Sequence, residues 1–184
     1  MIFDLPTSVT VCGTDYQIRS DYRAVLDICI ALSDPDLSDQ EKAIVMLDVF
    51  YPAFSEMPQE HFEEAVKKCV WFIDCGEDDV TKQSGAKLVD WEQDFKYIVA
   101  PINRVIGAEI RSMEYLHWWT FISAYYEIGD CTFAQIVHIR DMLSRGKPLD
   151  KTDREWYEKN RHLVDLKTTY TEAENDLLKL WGGA

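Results

Sequence analysis

Glu114 and His117 stand three residues apart, the Glu-x-x-His spacing that lets one helix face present two ligands to a carboxylate-bridged metal pair. Such a site needs the motif twice. The second match is Gln135 and His138, where an amide replaces the anionic donor. A metal-dependent helical enzyme built on Glu114 and His117 is therefore the weakest of three functional readings. His61, His138 and His162 fall on three other predicted helices, and the chain has no Gly-x-Ser-x-Gly elbow, Gly-x-Gly-x-x-Gly turn or Walker pattern. The acidic runs Glu63-Glu64 and Glu77-Asp78-Asp79 lack the alternating oxygen spacing of a calcium loop. No catalytic, cofactor-binding or metal residue is assigned, and no enzymatic activity is expected. Cys12, Cys29, Cys69, Cys75 and Cys131 are odd in number without a Cys-x-x-Cys pair, which points to a reducing compartment, and Cys69 and Cys75, six apart on a predicted helix, read as buried small apolar groups.

The densest run is LHWWTFISAYYEIG, residues 116–129. At about 100° per residue, Tyr115, Trp118, Trp119, Phe121, Ile122, Tyr125 and Tyr126 share one arc, opposite Thr120, Ala124 and Glu127. An amphipathic helix bracketed by Ser112 and Gly129 is expected, with His117 at the polar edge of the arc. Its rings form either a structural core or a partner-binding patch, since Trp and Tyr are favoured at interface hot spots. Arg140, following Ile136 and Ile139, is either a buried or interface arginine or a surface one. His117, Trp118, Trp119, Phe121, Tyr125 and Arg140 are the partner-binding candidates.

The elements that must position these residues read as mainly α, a single helical domain of about seven helices with a small N-terminal β-hairpin. Residues 1–19 hold the hairpin, with Ser8-Val9-Thr10-Val11 and Asp15-Tyr16-Gln17-Ile18 flanking Cys12-Gly13-Thr14. Residues 20–75 hold three helices: one entered through Asp21, one through a Ser38–Glu41 capping box, and one opening at Pro58. Residues 76–89 lose periodicity and read as an exposed connection or subdomain boundary. Residues 90–184 hold the remaining helices. Asp90 caps the first of these, which Pro101 should kink; a Thr132–Gln135 capping box opens another, and DREWYEKNRHL and a segment from Thr171 form the tail.

The 184 residues are 47% hydrophobic with a net charge of −14, so a real core coexists with an acidic skin. That charge repels phosphate backbones and anionic lipid, and no basic patch offsets it, so neither nucleic acid nor membrane is expected as a partner. No apolar run reaches the roughly 18 residues of a membrane span. A cytoplasmic protein that binds other proteins is the expectation, and homo-oligomerisation stays open.

Three segments in order, DYRAVLDI, DWEQDFKYIVAPINRVIG and LHWWTFISAYYEIGDCTFAQIVHIR, resemble the Gp-fifteen family of bacteriophage and prophage proteins, encoded in the tail module of siphophages of Gram-positive hosts. The resemblance runs from Asp21 to about Asp153-Arg154-Glu155, and the LHWW run is its most specific part. It implies tail morphogenesis in the host bacterial cytoplasm, as a tail-assembly-chaperone-like protein acting near the tape-measure protein. A structural component retained in the virion tail is the alternative. The positions carried over are Asp21, Tyr22, Arg23, Asp90, Asp94, Leu116, His117, Trp118, Trp119, Phe121, Ile139 and Arg140. Gly107-Ala108-Glu109-Ile110-Arg111 departs from the family's Ile-Asp-Leu-like turn.

Overall fold

The computed structural model describes residues 4–77 and 85–167, which fall into two compact units. Part of the expected connection, residues 78–84, and the expected tail segment from Thr171 lie outside the described residues. Mainly α architecture with one small antiparallel hairpin is what the sequence led us to expect, and the described residues contain seven helices.

In the first unit, β1 (Ser8–Val11) pairs with β2 (Thr14–Gln17) in the register Ser8↔Gln17 to Val11↔Thr14. The two-residue turn needs positive φ at both positions, and Cys12 (φ 48°) and Gly13 (φ 79°) supply it. Glu64 compensates the non-glycine position: its carboxylate accepts the Cys12 N–H at 3.0 Å and the thiol at 3.1 Å. Of the two cysteines read as buried, Cys69 is and Cys75 is only partly so, while Cys12 is exposed. A hairpin turn places its central side chains outward whatever their polarity.

Helix α1 (Tyr22–Leu32) is capped by Asp21, and α2 (Asp39–Phe50) by the reciprocal Ser38–Glu41 pair. Arg19 Nη1 gathers the Asp48 and Val49 carbonyls at 2.7 Å, two groups the end of α2 leaves without helical partners. A 3-10 turn over Gln59–His61 precedes α3 (Phe62–Ile73), so the α-helix begins four residues after Pro58. Tyr22, Val25, Ile28, Leu47, Phe50 and Phe72 fill the core of this unit. Tyr51 joins them because its hydroxyl donates to the Ala65 carbonyl at 2.9 Å, which satisfies a buried polar group.

The second unit holds α4 (Trp91–Ile106), α5 (Trp118–Tyr126), α6 (Thr132–Ser144) and α7 (Lys151–Val164). Asp90 and Asp150 cap α4 and α7, and α4 runs through Pro101 to Gly107, whose φ of 79° ends it in the left-handed region. The Thr132–Gln135 capping box does not form. Cys131 is the N-cap instead, its sulfur accepting the Ala134 N–H at 3.4 Å, because the Gln135 amide is drawn to Asp153 on α7.

Candidate functional site

Helix α5 begins at Trp118, later than the sequence suggests, and this late start rearranges the whole aromatic run. The chain before it makes a 3-10 turn over Ile110–Ser112 and then extends. His117 is the N-cap, its Nδ1 accepting the Trp119 N–H at 3.0 Å. It is 3% exposed, buried rather than at a polar edge, because a capping side chain folds back onto the first turn. Its ring meets Trp119 edge-on at 5.9 Å. Glu114 and His117 thus do not share a helix face, and the geometric premise of the two-ligand motif is missing. Among the described residues no group of three or more His, Cys, Asp or Glu is placed to hold a metal ion.

The arc is also rotated. Trp118, Phe121 and Ala124 face inward, whereas Tyr126 is 76% exposed and Tyr115 half exposed. Counting from Trp118, Trp119 and Tyr126 lie within about 20° of one another on the outer side, and Ala124 falls next to Phe121. Ring size alone pointed the other way for Ala124. The inner rings form a continuous cluster: Trp118 stacks nearly parallel on Phe121 at 5.5 Å, while Trp91 of α4 meets Tyr125 at 5.4 Å and Tyr125 meets Phe133 of α6 at 5.9 Å, both tilted. Burial, followed by neighbouring Tyr126 and Asp94, pushes the Tyr125 phenol up to about 12, so it stays protonated.

Arg140 is the most deeply buried cation among the described residues of this unit. Its guanidinium grips Asp94, itself fully buried, through Nη1–Oδ2 at 2.6 Å and Nη2–Oδ1 at 3.0 Å. The remaining donors reach three carbonyls: Nε to Val164 at 2.6 Å, Nη1 to Leu88 at 2.9 Å and Nη2 to Leu163 at 3.1 Å. Of the two alternatives for this residue, the surface arginine is excluded. Asp94 Oδ2 also accepts the Asp90 N–H at 2.9 Å. Asp94 had a legible signal in its position, since it falls within the Trp91, Phe95, Ile98, Ile102 stripe, and an acid in an apolar stripe demands a cation. The second half of the presumed metal motif also serves packing: Gln135 Nε2 and His138 Nε2 both reach the Asp153 carboxylate, at 2.8 and 3.1 Å, fastening α6 to α7.

Of the six partner-binding candidates, His117, Trp118, Phe121 and Arg140 are buried in the fold, while Trp119 and Tyr125 are partly exposed. Direct contact by the buried four requires this unit to open. The aromatic run is therefore core on its inner side and carries exposed rings on its outer side.

The family model for bacteriophage Gp15 protein matches residues 1–166. The chain belongs to that family. No curated protein and no solved structure matches it. Membership makes this a phage protein of the structural or morphogenetic kind, from a family not known as enzymatic. Among the described residues no helix is long and apolar enough to cross a membrane.

The positions carried over from the Gp15 resemblance serve as joints of the fold. Asp21 caps α1 and pairs with Arg23, whose guanidinium lies 4.7 Å over the Tyr22 ring. Asp90 caps α4, while Asp94 and Arg140 form the buried pair. Around the turn at residues 107–111 this Gp15 chain builds a closed local network. Glu109 accepts from Arg111 Nε at 2.8 Å and from Asn103 Nδ2 at 2.8 Å, and Asn103 Oδ1 takes the Ile110 N–H at 2.9 Å. Arg111 first, then Asn103, holds the Glu109 carboxyl down at about 2.

Proposed function

We propose that this Gp15-family chain acts in phage tail morphogenesis as an assembly chaperone for the tape-measure protein, in the cytoplasm of the host. The observation that carries the reading is the partition of charge between the two units. Residues 4–77 contain 15 acidic and 5 basic residues, whereas residues 85–167 contain 13 and 12. The described stretches of the first and second units thus bear −10 and −1. The near-neutral unit is the one that carries the partly exposed Trp119 and Tyr125 and the exposed Tyr115 and Tyr126. A chaperone for a long amphipathic helix needs this division: apolar ring area without electrostatic repulsion at the contact, and excess charge elsewhere to keep the complex soluble. Many copies along one partner would make weak individual contacts sufficient.

The experiment is a pull-down with tagged chain from induced lysogens, read by mass spectrometry beside purified virions. The chaperone reading expects capture of the tape-measure protein and absence of this chain from virions. Stoichiometric presence in virions would make it a structural tail component instead, and absence of both results would remove the tail assignment.

A further inference from the structure

Trp91 opens α4 and is only partly buried, yet its ring is the outer layer of the α5 cluster, 5.4 Å from Tyr125, 6.3 Å from Phe121 and 6.4 Å from Trp118. A first-turn residue makes no intrahelical N–H bond, so the helix behind Trp91 does little to hold it. The residues on either side hold it instead. Three residues before it, the Leu88 carbonyl accepts from Arg140 Nη1; three residues after it, Asp94 accepts from Nη1 and Nη2. Asp94 Oδ2 takes the Asp90 N–H, and Asp90 Oδ1 takes the Gln93 N–H at 2.8 Å. The stretch 85–90 has no regular structure, and none of its residues is fully buried. One buried cation therefore pins both flanks of a lightly packed segment.

We propose that residues 85–94 form a strap across the aromatic face of α5, latched by Arg140, and that unlatching uncovers Trp118, Phe121 and Tyr125 while the rest of the unit stays folded. An Arg–Asp pair suits such a latch. Buried ion pairs add little net stability over apolar packing, but they fail abruptly when one partner leaves, giving two discrete positions rather than a continuum. Segments with few buried contacts open at lower free energy than the core behind them. The strap's role in partner access rests on the α5 reading above, whereas the latch is a property of the free chain and is tested there.

The test is amide hydrogen exchange on the full-length chain. The hydrogen-bonded amides of Asp90, Gln93 and Asp94 should exchange together, on the order of a hundredfold faster than those of 98–106. Arg140→Lys keeps the charge but loses the planar fork, and should speed the three strap amides a further tenfold or so while 98–106 and α6 stay unchanged. The emission of an apolar dye such as anilinonaphthalene sulfonate should rise in Arg140→Lys and in Trp91→Ala, with no further gain when the two are combined. Strap amides exchanging at the rate of 98–106 in the unaltered chain would overturn the proposal, as would a uniform acceleration of the whole unit in Arg140→Lys. If that variant fails to fold, the unaltered chain and Trp91→Ala decide. Loss of tape-measure capture alongside the expected exchange pattern would remove the chaperone reading and leave the latch standing.

Discussion

Replacing Asp94 with leucine strips the buried guanidinium of its counter-ion. Arg140 is left with a side chain 5% exposed, three carbonyl bonds and an uncompensated charge, a loss of about 3–5 kcal/mol for a broken buried pair. Arg140→Met should be worse. It strands a carboxylate that is 0% exposed and also orphans the Val164, Leu88 and Leu163 carbonyls, each costing about 1–3 kcal/mol where water does not replace the donor. The double variant has the same orphaned carbonyls but no stranded charge, so it should be more stable than Arg140→Met alone. Urea denaturation followed by tryptophan emission reads all three. At an m-value of about 2 kcal/mol/M, Asp94→Leu should lower the midpoint by about 2 M. A shift under about 0.3 M, or a double variant whose loss equals the sum of the single losses, would refute the claim that these two charges are mutually dependent.

Phe121→Ala, inside the cluster, should cost about 3–5 kcal/mol, and Trp119→Ala on the outer side roughly half that, as denaturation midpoints would show. His117→Ala should cost about 0.5–2 kcal/mol through the lost cap and His117→Asn should recover most of it, measured the same way. Glu109 is depressed to about 2 in the folded chain, so its stabilisation is present above the ordinary carboxylate value of about 4.3 and disappears as pH falls from there towards about 2. Thermal melts through that window should fall less steeply for Glu109→Gln than for the unaltered chain. The exposed Cys12 thiol should alkylate before buried Cys69, yet slowly for its exposure, since the Glu64 hydrogen bond, then partial desolvation and the Glu64 charge, raise its pKa. Glu64→Gln should quicken the reaction, as peptide mapping after timed labelling would reveal.

Local patterns were legible where the partner is also local. Asp21, Ser38, Asp90 and the Cys12-Gly13 turn behave as their neighbours in sequence dictate. Thr132 with Gln135 has the same pattern as Ser38 with Glu41 but yields to Cys131, because Asp153, 18 residues away in sequence, competes for the glutamine. His117 misled for a related reason. Helical spacing was assumed from Ser112 onward, whereas the helix starts at Trp118, so Glu114, Tyr115 and His117 were placed on a wheel they do not join. Arg140 and Asp94 stood out as residues, but their pairing spans 46 positions, which periodicity cannot encode.

The bonds of Arg140 also bear on how the second unit is joined to the rest of the polypeptide. Leu88, near its beginning, and Leu163 and Val164, near its end, present carbonyls to the same guanidinium, and Gln93 clasps the Asp165 carbonyl and the Lys167 N–H at 3.1 and 3.0 Å. Its two ends therefore meet at one point. A body whose ends meet is built like an insertion: it can be grafted into a loop or circularly permuted across that junction with little loop entropy lost.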